Sequence, residues 1–142
     1  MTVLFSRKCE YALQGILYLA EYRDQGNIPA DQIARDMGIS RHFISKTLQS
    51  LVKDGIVLSS RGKTGGFSLA KAPESLSLLD VILIIDGNGV FESCVLGLPT
   101  CTAETQCPVH DEWAPLRERS RQMLASTTVA QFKPVSIQKL NK

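Results

Sequence analysis

The chain has 142 residues, of which 44% are apolar, and its formal net charge is +2. This apolar fraction excludes a disordered chain and suits one domain, or one small domain with an appended segment. The longest apolar run, Val81 to Ile85, is too short to cross a membrane, and Arg7, Lys8 and Glu10 interrupt the start before a signal peptide could form. We therefore predict a cytoplasmic protein, whose cysteines stay reduced.

The charges are segregated along the chain. Residues 1–71 hold ten Lys/Arg against six Asp/Glu, residues 72–116 hold none against seven, and residues 117–142 hold six against one. The first block can therefore face a polyanion, and the middle block cannot.

Ser6 is expected to cap a first helix that runs to about Asp24, because apolar residues recur there at intervals of three and four. Cys9 lies on this apolar stripe and is predicted to be buried and inert.

A pair of helices is predicted next. Pro29 opens a short helix through Met37, Gly38 supplies a turn, and Ser40 caps a second helix through Asp54. This spacing is typical of a helix-turn-helix, with an ordinary helical hairpin as the alternative.

The exposed face of the second helix carries hydrogen-bond donors and cations and no carboxylate before Asp54. Such a face suits base edges and phosphates of DNA. Two predicted strands, Ile56 to Ser60 and Gly66 to Ala70, follow at once and form a hairpin with a cationic, glycine-rich tip. The candidate DNA-binding residues are Ser40, Arg41, His42, Ser45, Lys46, Gln49, Arg61 and Lys63.

In the second half, Ser77 is expected to cap a buried helix from Leu78 to Asp86, followed by a turn or hinge through Gly89. Asp111 is expected to cap a last helix, with a polar tail after Phe132. One face of that helix suits a partner helix, with packing against its own domain as the alternative; it carries Trp113, Leu116, Ser120, Met123 and Thr127.

Between these two helices lies a loop with three cysteines and a histidine: Cys94, Cys101, Cys107 and His110. Thiolates and an imidazole suit an iron-sulfur cluster, which we favour, or Zn²⁺; a thiol switch and unrelated loop cysteines are the alternatives. An enzyme with a thiolate nucleophile and His110 as base is a further possibility, but no other catalytic motif supports it, and we predict no enzyme.

Several stretches together resemble the bacterial regulators of the IscR, NsrR and CymR type. These are the helix-turn-helix GISRHFISKTLQSLVKDGIV, the wing RGKTGGF, the helix SLLDVILIIDG and the Cys-x6-Cys-x5-Cys-x2-His loop. The resemblance runs from Ser6 to about Phe132.

The resemblance implies a mainly α fold with a small β-wing, in which a winged helix-turn-helix is joined to a long C-terminal dimerisation helix. The expected units are a DNA-binding domain, residues 1–72, and a buried helix, cofactor loop and dimer helix, residues 73–142. It also implies a homodimeric transcription factor, usually a repressor, that binds a palindromic operator in double-stranded DNA. Arg61 would enter the minor groove.

By the same resemblance, the loop would hold an iron-sulfur cluster, [2Fe-2S] or [4Fe-4S], that senses redox, iron or nitric oxide state. Cys94, Cys101 and Cys107 match the cysteine positions, although the first two are one residue further apart than is commonest. His110 matches the histidine of IscR-like members. NsrR-like members use an acidic residue from the partner's first helix, which makes Glu10 the alternative fourth ligand.

Overall fold

The computed structural model describes residues 4–102, 104 and 107–132. The predicted tail, residues 133–142, lies outside the described residues. The described part is mainly helical with one two-stranded antiparallel sheet, as predicted. Its helices and strands are α1 Arg7–Glu21, α2 Ala30–Met37, α3 Arg41–Lys53, β1 Val57–Ser60, β2 Gly66–Leu69, α4 Leu78–Ile85, α5 Gly89–Glu92 and α6 His110–Ser126.

Three helices begin at the serines that the sequence indicates. Ser6 Oγ accepts a hydrogen bond from Cys9 N, and Ser40 Oγ accepts one from Phe43 N, both at 3.1 Å. Ser77 caps α4 in a reciprocal arrangement with Asp80. A side-chain cap of this kind contributes about 1 kcal/mol, because it satisfies a backbone N–H that has no partner within the helix.

The last helix begins differently from the prediction. Asp111 does not cap α6; it lies in the first turn, and the cap residue is Val109. The carbonyl of Val109 accepts hydrogen bonds from Glu112 N and Trp113 N, at 3.2 and 2.8 Å, so the helix is already formed at His110. The predicted hinge before the cysteine loop also differs, because its last residue, Gly89, starts the single turn α5.

The core joins the two halves of the chain. One cluster of buried side chains comes from α1, α2, α3, the sheet and α4. A second cluster contains Cys9, Leu79, Ile82, Phe91 and Leu124, and thus connects α1 to α4, α5 and α6. Cys9 is 0% exposed, which confirms its predicted burial. None of the helices in the described ranges is both long and apolar enough to span a membrane.

The helix-turn-helix and the wing are connected through Ile28, the residue that lies just before α2 and pairs with β2. Gly38 ends α2 in the left-handed conformation, at φ 68°, which permits the tight turn into α3. In the wing, β1 pairs with β2 from Val57 opposite Leu69 to Ser60 opposite Gly66. Ile28, just before α2, exchanges two backbone hydrogen bonds with Phe67 of β2, and the wing is thereby fixed to the helices.

Candidate functional site

A cleft of about 400 Å³ lies between α3 and the wing. Of the eight candidate DNA-binding residues, five line it: Arg41, Ser45, Gln49, Arg61 and Lys63. The fold therefore brings together cations that lie up to 22 residues apart in the sequence. Of the other three, Ser40 caps α3, and His42 and Lys46 are exposed on that helix.

The orientation of α3 follows from its apolar face. Ile44, Leu48 and Leu51 are fully buried, and Gly15 of α1 lets α3 approach closely. A Cβ atom at Gly15 would lie 3.3 Å from Leu48 Cδ2 and 3.4 Å from Ile44 Cδ1. Because residues three and four apart share a helix face, burial of these side chains turns Arg41, Ser45 and Gln49 outward.

The wing is tied to α3, and two glycines shape the approach to its tip. Gln49 Nε2 donates a hydrogen bond to Ser59 Oγ at 3.3 Å, across the cleft from helix to strand. A Cβ atom at Gly65 would lie 2.5 Å from Ser60 O, and one at Gly66 would overlap Ile28 O. The two glycines thus permit a close backbone approach that positions the cationic tip.

The structure also places a carboxylate in the cleft that the sequence interpretation missed. Asp31, in the first turn of α2, lies with its Oδ1 at 3.1 Å from Arg41 Nε. The face of α3 itself has no carboxylate, and the nine residues between the two partners carry no pattern that would pair them. The packing of α2 against α3 brings the Asp31 and Arg41 side chains into contact.

The four predicted ligands of the cysteine loop form two contacting pairs. Cys101 Sγ lies 3.3 Å from Nδ1 of His110, the first residue of α6. The side chain of Cys107 forms a hydrogen bond with Cys94, just after α5. The structure thus brings together side chains that lie 9 and 13 positions apart in the sequence.

The start of the loop is held by α6. The carbonyl oxygen of Ser93 accepts hydrogen bonds from Trp113 Nε1 and from an Arg117 guanidinium nitrogen, both at 3.0 Å. Backbone N–H groups of Leu98 and Leu96 stabilise the thiolate of Cys94 and lower its pKa. Trp113 and Arg117 of α6 therefore hold the backbone directly before Cys94, the first cysteine of the loop.

The donor chemistry of these side chains fits an iron-sulfur cluster or Zn²⁺, since both favour sulfur and nitrogen. Within residues 4–102, 104 and 107–132, however, no three His, Cys, Asp or Glu side chains gather around one point that could hold a metal ion. Glu10 lies apart from the loop in sequence, in the first turn of α1. The thiols and the imidazole thus have the chemistry that either group requires, and they lie as two separate pairs.

Cys9 is chemically distinct from the loop cysteines. Burial, together with the nearby carboxylates of Asp86 and Glu10, raises the pKa of Cys9 to about 12. The side chain consequently stays a neutral thiol and packs as a small apolar residue.

Comparison with known proteins agrees with this architecture. The sequence model of the Rrf2 family, described as iron-dependent transcriptional regulator, matches residues 5–133. The regulator IscR of Erwinia tasmaniensis is 31% identical over 125 residues, which cover 88% of this chain and 75% of that one.

Two solved structures have the same fold. The first is CymR, the global cysteine regulator of B. subtilis, at 26% identity and a TM-score of 0.74, with 89% of this chain and 92% of that chain covered. The second is the oxidized form of CymR from Staphylococcus aureus, at 26% identity and a TM-score of 0.71, with 94% and 98% covered.

Proposed function

The chain belongs to the Rrf2 family of DNA-binding transcriptional regulators, and we propose that it is a homodimeric repressor that senses redox, iron or nitric oxide state through an iron-sulfur cluster. The observation that carries the proposal is the combination of two sites on connected elements. A cationic cleft lies between α3 and the wing, and a loop of three thiols and an imidazole lies between α5 and α6.

In the proposed complex, α3 enters the major groove and the wing lies along the neighbouring minor groove. Arg41, Ser45 and Lys46 approach bases or phosphates, and Arg61 enters the minor groove, where the electrostatic potential favours arginine. A palindromic operator matches the symmetry of a dimer, because each subunit then reads one half-site about one helical turn from the other.

The dimer is proposed to form along α6. Leu116 and Met123 are 59% and 57% exposed in the single chain, although both lie on the predicted apolar seam. Burial of such side chains against a second copy is favourable by about 25 cal/mol per Å² of apolar surface. The same helix holds Ser93, so the dimer contact and the cysteine loop share one support.

Cys94, Cys101 and Cys107, with His110 as the fourth ligand, are the residues that would hold the cluster; Glu10 of a second subunit is the alternative to His110. A bound cluster supplies reversible one-electron chemistry and sensitivity to oxidants. If a bound cluster were lost, the freed thiols would release the segment after Ser93, and this would alter the contact between that segment and α6.

The proposal is tested by anaerobic purification of the full chain, followed by a visible spectrum and by iron, sulfide and zinc analysis. We expect visible absorption with iron and sulfide in the wild type, and its loss in Cys101→Ser. Cys9→Ala is the matched control, because it removes a cysteine that lies outside the loop, and it should keep the spectrum. A colourless wild type with one zinc per chain would contradict the cluster.

A second candidate is a thiol switch without iron. It is favoured by the contact between Cys94 and Cys107 and by the similarity to CymR of Staphylococcus aureus, which is described in an oxidized form. Two thiols would reduce one molecule of hydrogen peroxide to two waters and would be joined as a disulfide. Mass mapping of metal-free protein after peroxide treatment tests it: a disulfide between these two cysteines that changes operator affinity would support the switch.

A further inference from the structure

We propose that Asp31 is a positioning residue for sequence recognition, and that its carboxylate holds Arg41 by Nε so that the terminal amino groups of Arg41 face a guanine. This inference rests on the proposed DNA-reading role of the cleft. It adds a residue from α2 to a recognition surface that otherwise consists of α3 and the wing.

The geometry gives the pair a defined direction. Arg41 is the first residue of α3, and Asp31 lies in the first turn of α2, so each side chain starts from a rigid helix. The contact joins Asp31 Oδ1 to Arg41 Nε at 3.1 Å. Since a guanidinium has five N–H donors in a fixed plane, engagement of Nε leaves the two terminal nitrogens available for a second, parallel contact.

The exposure of the pair indicates that its role is not to stabilise the fold. The side chains of Asp31 and Arg41 are 70% and 69% exposed. Ion pairs at such exposure contribute little to folding, because water screens them and because ordering two side chains opposes the attraction. The contact instead restricts the orientations that the Arg41 side chain adopts before DNA binds.

The electrostatics of the cleft support the same conclusion. Asp31 is the one acidic side chain among the described residues that line it, whereas Arg41, Arg61 and Lys63 are cationic. A carboxylate there opposes binding of any phosphate backbone, so it weakens binding to all sequences. Binding is then favoured on sequences where the oriented Arg41 gains a specific contact.

The contact that fits this orientation is a bidentate one. Guanine presents O6 and N7 to the major groove as two neighbouring acceptors, and the terminal nitrogens of arginine match them. Lysine at position 41 could not replace this geometry, because its ammonium group is a point charge without a planar fork. The expected result is a guanine preference at one position of each half-site.

The experiment uses the full-length protein in one fixed cofactor state. A duplex selected by the wild type from a random-sequence pool serves as the specific probe, and a scrambled duplex of the same length and composition as the non-specific probe. Affinities for both are measured with wild type, Asp31→Asn, Arg41→Ala, the double variant and Asp24→Asn. Asp24, in the turn after α1, provides the same charge removal outside the cleft.

For Asp31→Asn we expect tighter binding to the scrambled duplex, and a ratio of specific to non-specific affinity that falls about three- to fivefold. The guanine preference should weaken in parallel. In the Arg41→Ala background the same Asp31 substitution should leave the ratio unchanged, because the residue acts through Arg41. Asp24→Asn should not change the ratio.

Three results would overturn the inference in distinguishable ways. An unchanged ratio in Asp31→Asn, with a loss of affinity in Arg41→Ala, would remove the positioning role and keep the DNA face. A fall that persists in the Arg41→Ala background would assign Asp31 to direct reading, as an acceptor for cytosine N4. If Arg41→Ala had no effect on either duplex, and Arg61→Ala measured beside it had none either, the proposed DNA face itself would be contradicted.

Discussion

Asp86 accepts hydrogen bonds from both the backbone N–H of Ser6, at 2.8 Å, and the hydroxyl of Ser6, at 2.5 Å. Ser6 is the cap residue of α1, and Asp86 is the residue at which α4 ends. The two helices are therefore joined at one corner, directly before the chain continues through α5 to Cys94. This corner connects the elements that hold the cysteine loop to the helix that packs against α3.

Replacement of Asp86 by alanine should lower the free energy of unfolding by about 1–2 kcal/mol, because the variant loses two hydrogen bonds to a charged acceptor at a helix start. Urea denaturation of the full chain measures this change. Glu74→Ala is the control: it removes an exposed carboxylate just before α4 and should change stability by less than about 0.5 kcal/mol. Equal stability of the two variants would show that the corner contributes nothing.

Gly66→Ala should destabilise the wing by about 1–3 kcal/mol and weaken DNA binding. Gly66 has φ +147°, and its Cβ atom would overlap the carbonyl of Ile28, where the wing is bonded to the helices. Gly89→Ala is the matched control, since no heavy atom outside its own chain neighbours and helix backbone lies within 4 Å of the added carbon. Thermal denaturation should separate the two variants; a Gly66→Ala protein as stable as Gly89→Ala would be inconsistent with this geometry.

Arg61→Ala should weaken binding to the selected operator by about 1–3 kcal/mol, and it should reduce the salt dependence if the side chain also neutralises phosphate. Arg61 is exposed and lines the cleft, whereas Arg23 is exposed in the turn after α1 and lies outside the cleft. Fluorescence anisotropy at several salt concentrations measures both effects. Arg23→Ala should bind like the wild type. If Arg61→Ala also bound like the wild type, the wing would have no role in DNA contact.

Local patterns in the sequence were sufficient for much of this fold. The serine caps at Ser6, Ser40 and Ser77 were predictable because a cap depends on a hydrogen bond to a residue three positions away. The wing followed from alternating strands and a glycine-rich tip. The start of α6 was not predicted correctly, because Asp111 satisfies the same local rule and the earlier carbonyl of Val109 forms the first turn instead.

The sites were predictable as sets of residues and not as contacts. The sequence indicated which cysteines and which histidine share a loop, but it contained nothing that would pair Cys101 with His110 or Cys94 with Cys107. Asp31 was missed for the same reason, since its contact with Arg41 depends on the angle between two helices and not on spacing.

Cys9 should resist alkylation in the native protein. At pH 8 a thiol with a pKa of about 12 is ionised to about one part in ten thousand, and the thiolate is the species that reacts. Treatment of reduced, metal-free protein with iodoacetamide, followed by peptide mass mapping, should label Cys101 and Cys107, which are half-buried, and leave Cys9 unmodified. Denaturant should make Cys9 as reactive as the others. Labelling of native Cys9 at the rate of Cys101 would contradict its buried position.

The seam on α6 provides the last prediction. Replacement of both Leu116 and Met123 by glutamate should convert a dimer to single chains, because it places two like charges on each side of the contact. Sedimentation measures the association, and operator binding should weaken together with it, since a single chain reads one half-site.

Ala125→Glu is the matched control for this pair. Ala125 is exposed, and at 100° per residue it lies on the other side of α6 from Met123, so a glutamate is added to the same helix away from the seam. The control should stay dimeric. If the double variant also stayed dimeric, α6 would not be the dimer contact, and the proposed transmission from Ser93 through that helix to the operator would fail with it.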